Sequence, residues 1–136
     1  MKSKFKSILF VGFFICVLSC GKSDDDFLAT LEGEYKGTFT VEYQNDQTFS
    51  NPVEVSFSGG EFSSSTGANR FPAGGNGAYE VEKNTIQFTD KNIWTADFDW
   101  NLILNGTYNY TINGNTLTLS ANKNDVGLYK YVLEKN

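Results

Sequence analysis

The chain has 136 residues, a formal net charge of −5, an aromatic content of 15%, two cysteines and no histidine. Without histidine, a Ser-His-Asp or Cys-His catalytic site and a usual zinc site are excluded. The acidic balance argues against a nucleic-acid partner, which needs basic patches. Nothing in the composition calls for a cofactor.

Lys2, Lys4 and Lys6 form a basic start, and Ile8 to Leu18 is an apolar run too short to span a bilayer. Ser19, a small residue, precedes Cys20, and the whole reads as a secretory signal with its cleavage site. Val17-Leu18-Ser19-Cys20 resembles the lipobox of bacterial lipoproteins. The resemblance implies cleavage before Cys20 and acylation, palmitate included, of its sulfur and amine, so that lipid on Cys20 makes the membrane a partner. The alternatives are an ordinary signal with a chance cysteine and an uncleaved anchor. The expected division is a signal peptide over 1–19, a lipidated cysteine and acidic tether over 20–30, and one domain over 31–136. Loss of the signal leaves eight Lys or Arg against sixteen Asp or Glu, a net charge of about −8. With Cys16 removed and Cys20 acylated, no disulfide staples the domain, and its aromatic core must hold it.

Ser23, Asp24, Asp25 and Asp26 follow Cys20 closely. They resemble the acidic export tag of surface lipoproteins in the Bacteroidetes, which implies an outer-membrane lipoprotein exposed at the cell surface. The alternative is a plain solvated tether. Phe27 to Leu31 is compatible with one helical turn capped by Asp26.

Alternation of apolar and polar residues then marks strands, each with one buried face. Strand A is expected over Gly33 to Tyr43, with Tyr35, Phe39, Val41 and Tyr43 inward; strand B, Phe49 to Ser58, turns in Val53, Val55 and Phe57. Pro52 lacks an N–H and suits a strand end or an edge. Gly59-Gly60 turns into a short strand C from Glu61 to about Ser65, pairing Phe57 with Phe62. Ser63 to Gly77 is the least regular stretch, and loops this long are usually functional or mobile. Strands D, Ala78 to Glu82, and E, Thr85 to Asp90, pair Tyr79 with Phe88 and Val81 with Ile86. Lys91 to Asp97 connects to strand F.

From Trp100 to Ile112 every second residue is bulky and apolar or a glycine, and Leu117 and Leu119 resume the alternation after Asn113-Gly114. Asn-Gly is a strong hairpin signal. A two-residue loop there pairs Tyr110 with Leu117 and Tyr108 with Leu119, making strands F and G. Strand H, Gly127 to Glu134, points Tyr129, Tyr131 and Leu133 inward. Eight consecutive antiparallel strands predict an all-β, up-and-down barrel, since closure removes both edges; a two-sheet β-sandwich is the alternative.

Leu31-Glu32-Gly33-Glu34-Tyr35 resembles the Gly-x-Trp opening of lipocalins, with Tyr for Trp. Phe71-Pro72-Ala73-Gly74-Gly75, through Ile93 to Trp100 and on to Tyr129-Lys130-Tyr131, resembles small lipocalin-like lipoproteins of the Bacteroidetes. The resemblance covers nearly all of 20–136 and implies the barrel. It implies little about function, and strand H has no arginine to stack on the strand A aromatic, so no ligand-binding residues are carried over.

Asp97 and Asp99, two apart and so on one strand face, are with Asp90 the best carboxylate cluster for a hard cation or glycosidase chemistry, though two acids on an outer face are usually just solvated. Gly74 to Gly77 precedes a strand without a suitable lysine and reads as a loop rather than a phosphate cradle. Two Asn-x-Thr sequons, at Asn105 and Asn109, read as chance matches. The expectation is therefore not an enzyme. Arg70, Phe71 and Trp94 are the candidate ligand-binding mouth, Arg70 being the one arginine of the chain and a ready fork for a carboxylate. Alternatively, Phe71 and Trp94 plug the barrel end and Arg70 is a solvated loop residue. The function read from this is a lipid-anchored envelope module binding a small apolar or amphipathic ligand or an envelope protein. The alternative is a structural or accessory lipoprotein, or an inhibitor, acting through the surface of a filled barrel.

Overall fold

The computed structural model describes residues 31–136. Cys20, Ser23, Asp24, Asp25, Asp26 and the expected helical turn up to Thr30 lie outside the described residues.

Eight strands run in chain order: β1 Gly33–Tyr43, β2 Thr48–Ser58, β3 Glu61–Ser64, β4 Gly75–Val81, β5 Thr85–Asp90, β6 Gly106–Asn113, β7 Thr116–Lys123 and β8 Gly127–Lys135. Each pairs antiparallel with its neighbour, and β8 returns to β1, so the barrel is closed. The sandwich alternative is thereby set aside. The β1–β2 register, Tyr35 against Val55 and Phe39 against Asn51, places alternate residues inside, as the pattern predicts. Gly37 makes the β1–β8 approach possible, because a Cβ there would lie 1.8 Å from the Val132 carbonyl oxygen.

The lumen is filled by its own rings. Phe39, Phe57, Phe88, Tyr108, Tyr129 and Tyr131 are all buried. They meet in tilted and edge-on pairs, among them Phe39–Tyr131 at 4.7 Å, Phe88–Tyr108 at 5.6 Å and Tyr108–Tyr131 at 5.9 Å between centroids. The inward sets expected for β2 and β8 are buried, and Phe57–Phe62, Tyr79–Phe88 and Val81–Ile86 pair as expected.

The hairpin of β6 and β7 keeps the expected faces but not the expected partners. Tyr110 opposes Leu119 and Ile112 opposes Leu117, two residues away from the predicted register. The turn sits on Gly114-Asn115 rather than Asn113-Gly114, and of these residues only Gly114 has positive φ, +59°. Strand F also starts later than expected. Trp100–Leu102 is a single 3-10 turn whose N-cap is Asp99, and the strand proper begins at Gly106. Trp100 and Ile112, both expected inward, are exposed, and Tyr43 is only half-buried. β4 starts at Gly75, three residues before the prediction, which shortens the irregular stretch.

The two barrel ends differ. Tight turns after β2, β4 and β6 and both ends of the described chain gather at one end, the turn end. The connections 44–47, 65–74, 91–105 and 124–126 gather at the other, the loop end. At the loop end β3 stops at Ser64 while β2 continues. The Glu54 N–H points across the gap to Ser65 Oγ at 2.9 Å. Pro52 faces the same way two residues earlier, where no ladder partner remains and no N–H is needed.

Candidate functional site

Sequence reasoning placed the mouth at Arg70, Phe71 and Trp94, and all three sit at the loop end. Phe71 packs edge-on against Phe39 of the lumen at 5.0 Å and also meets Phe49 at 6.4 Å. It plugs the lumen on one side and on the other lines an open groove of about 340 Å³ with Phe49, Asn51 and Ala68. Trp94 packs edge-on against Phe98 at 5.6 Å, and its indole N–H is held by the Asp90 carboxylate. Arg70 lies over the other partner of that pair, its guanidinium carbon 4.8 Å from the Phe98 centroid. It also bonds Asp97 at 3.1 Å and Thr95 at 3.3 Å. The single arginine thus ties its loop to the 91–105 connection through Nη1, with its side chain still 44% exposed. The Thr95 hydroxyl first, and Arg70 second, hold the exposed Asp97 carboxyl below its usual range.

The long loop is tied down along its length. Gly67 N–H bonds the Pro72 carbonyl, Thr66 Oγ1 the Ala73 carbonyl at 2.8 Å, and Asn51 Nδ2 the Phe71 carbonyl at 2.6 Å. Ala73 N–H to the Leu102 carbonyl and Leu104 N–H to the Gly74 carbonyl then join it to the 91–105 connection. The two loops form one cap.

Asp90, Asp97 and Asp99 do not share a strand face. Asp90 accepts from the Asn76 N–H and from Trp94, Asp97 faces Arg70, and Asp99 caps the 3-10 turn and accepts from Tyr129 Oη at 3.1 Å. Each carboxylate has its own structural partner, so the three do not gather into one site. Among the described residues no group of three His, Cys, Asp or Glu side chains is placed to hold a metal ion.

Sequence reasoning passed over Lys123. Its ammonium donates to the carbonyls of Asn101, Ile103 and Asn105 at 3.1, 3.2 and 3.3 Å, and lies 4.9 Å from the Tyr108 centroid and 5.5 Å from that of Tyr129. It closes the lumen at the loop end. Burial pulls the amine down to about 8, against the pull of Asp99 in the other direction. Burial pushes the Tyr129 phenol up, and the Asp99 charge adds to that push.

Beside this lid, β6 and β7 part. Their last ladder pair toward the loop end is Asn109–Ser120. Above it a groove of about 400 Å³ opens on the outer wall, lined by Trp100, Asn105, Thr107, Asn122 and Asn124 among others. The clustering of asparagines at 101, 105, 122 and 124, in two separate segments, was the available signal.

These features define a class: a closed antiparallel barrel with a ring-filled lumen, capped by two joined loops at one end. Comparison with protein-family models, curated proteins and solved structures finds no match.

Proposed function

We propose that this is a non-catalytic, lipocalin-like binding module, tethered to the outer membrane through acylated Cys20, exposed at the cell surface and working through its loop end rather than by enclosing a ligand. The observation that carries the reading is the lumen. With Phe39, Phe57, Phe88, Tyr108 and Tyr131 buried and in mutual contact, it has the solid interior that small barrels reach when side chains fill them. The carboxylates of Asp97, Asp90 and Asp99 are each engaged by a separate partner.

Leu31 is buried at the turn end, where Tyr79 Oη holds its carbonyl and Glu32 takes the Gly59 N–H. Leu31 thus enters the barrel at the end opposite the loops. Of the two functions read from the sequence, the filled lumen favours action through the surface of the barrel.

The test is a titration of the soluble domain with parinaric acid. No saturable, stoichiometric uptake is expected, and uptake displaced by palmitate would overturn the reading. In cells, Cys20→Ala should move the protein from the membrane fraction to the soluble one; unchanged membrane association would refute the tether.

A further inference from the structure

We infer that the cleft where β6 and β7 part is a carbohydrate site, with Trp100 as its stacking platform and the asparagines around it as hydrogen-bonding groups. The inference rests on the reading that the loop end is the working surface, and it names the ligand class.

Trp100 is the large aromatic that the fold leaves in water beside this cleft, 56% exposed. It is not loose. Its indole N–H is fixed on the Thr95 carbonyl at 2.9 Å, and it opens a 3-10 turn capped by Asp99. A ring held by its edge with its surface in solvent is preorganised for stacking, so little ordering is lost when an apolar face covers it. Sugar rings carry such faces in their C–H groups.

Apart from Lys123, the rest of the cleft is mostly polar and uncharged. Asn124 is held in position by donating from Nδ2 to Asn101 Oδ1 at 2.9 Å, and Asn105 by accepting from the Asp90 N–H at 2.9 Å. Asn122 projects from β7 as an exposed amide. Carboxamides both donate and accept, which matches neighbouring hydroxyls of a sugar. Gly106–Tyr108 and Ala121–Lys123 border the gap without a ladder across it.

The charges argue against other ligands. Lys123 is the cation at the cleft, and its donors are spent on three carbonyls, which leaves a phosphate or carboxylate without a fork. The amide-rich lining suits no lipid tail. A neutral saccharide is the chemistry that remains.

The experiment is affinity electrophoresis of the soluble domain in gels containing laminarin, xylan, galactomannan or amylopectin, with polygalacturonate as the anionic comparison. Retardation by at least one neutral polysaccharide is expected, and none by polygalacturonate. Trp100→Ala should weaken retardation at least about tenfold, and Asn122→Ala should weaken it by less. Ile93→Ala, fully exposed on the same cap and outside the cleft, should leave it unchanged. Melting curves of the Trp100 variant within a few degrees of the parent would separate lost binding from lost folding; should it unfold, Trp100→Phe, expected to retain partial binding, takes its place. Absence of retardation by all four neutral polymers, or equal retardation of parent and Trp100 variants, would overturn the inference. Either result with no uptake of parinaric acid rejects the carbohydrate site alone, whereas stoichiometric uptake rejects the filled-barrel reading beneath it.

Discussion

Tyr79 donates its hydroxyl to the carbonyl of Leu31 at 2.5 Å, tying the start of the described chain to β4 across the turn end of the barrel. Leu31 is 1% exposed, and Tyr79 itself packs edge-on against Phe57 at 5.1 Å. One residue thus closes this end as Lys123 closes the other. Leu31→Ala should destabilise by about 2–5 kcal/mol, since the vacated volume is lined by a rigid sheet that relaxes little. Tyr79→Phe should cost about 0.5–1.5 kcal/mol, the net value of one hydrogen bond. Urea denaturation measures both, and a Leu31 variant as stable as the parent would contradict the plug.

The hydroxyls of Tyr108 and Tyr131 are buried without a protein partner among the described residues. Burying an unpaired hydroxyl carries a desolvation cost of about 1–3 kcal/mol. Tyr131→Phe, which keeps the ring and its contact with Phe39, should therefore stabilise the barrel by about 1 kcal/mol in thermal or urea melts. A loss of stability would show instead that the hydroxyl bonds a buried water.

Faces were legible in the sequence; partners and ends were less so. Alternation places Tyr108 and Leu119 inside whichever register the hairpin takes, because a slip of two residues returns every side chain to its own face. Only the turn separates the registers, and Asn113-Gly114-Asn115 offers two overlapping turns. The observed one puts glycine first, the arrangement of a II′ loop. The false strand start at Trp100 has a related cause. Leu102 and Leu104 are buried under the cap as strand residues would be, but the alternation there comes from a loop laid across the barrel mouth. The mouth residues Arg70, Phe71 and Trp94 were placed at the right end, yet the packing of Arg70 and Trp94 on Phe98, and of Phe71 on Phe39, was not readable. Nor was Lys123, whose three carbonyl partners come from a loop about twenty residues away.

Glycine positions separate two kinds of cost. At Gly37 an added Cβ meets the Val132 backbone at 1.8 Å, so Gly37→Ala must push β1 and β8 apart and should cost at least about 3 kcal/mol. At Gly114 there is open space, but φ is +59°. Gly114→Val should cost roughly 1–2 kcal/mol, because a β-branched residue resists that conformation. Asn122→Ala, exposed on β7, should stay within about 0.5 kcal/mol of the parent. Melting temperatures in that order are expected, and a Gly37 variant milder than the Gly114 one would contradict the β1–β8 closure.

Lys123 gives the barrel an unusual dependence on pH. Its amine is lowered to about 8 in the folded state, from 10.5 when solvated. Below pH 8 both folded and unfolded chains carry the charge, and the folded state bears the whole burial cost. Between pH 8 and 10.5 the folded chain has released a proton that the unfolded chain still holds, so unfolding takes one up and stability rises with pH. The buried phenols of Tyr108, Tyr129 and Tyr131 act in the opposite sense. Burial raises each, so their contribution is complete below pH 10 and is lost above it, as the unfolded chain ionises first. Stability should therefore climb from pH 7.5 to a maximum near pH 9 to 10 and fall beyond it. Lys123→Met should remove the climb but keep the fall. At neutral pH it should also cost about 1–3 kcal/mol, because three carbonyls lose their donor. Urea midpoints measured across this range for parent and variant decide the matter, and parallel curves would show that the ammonium is not buried as described.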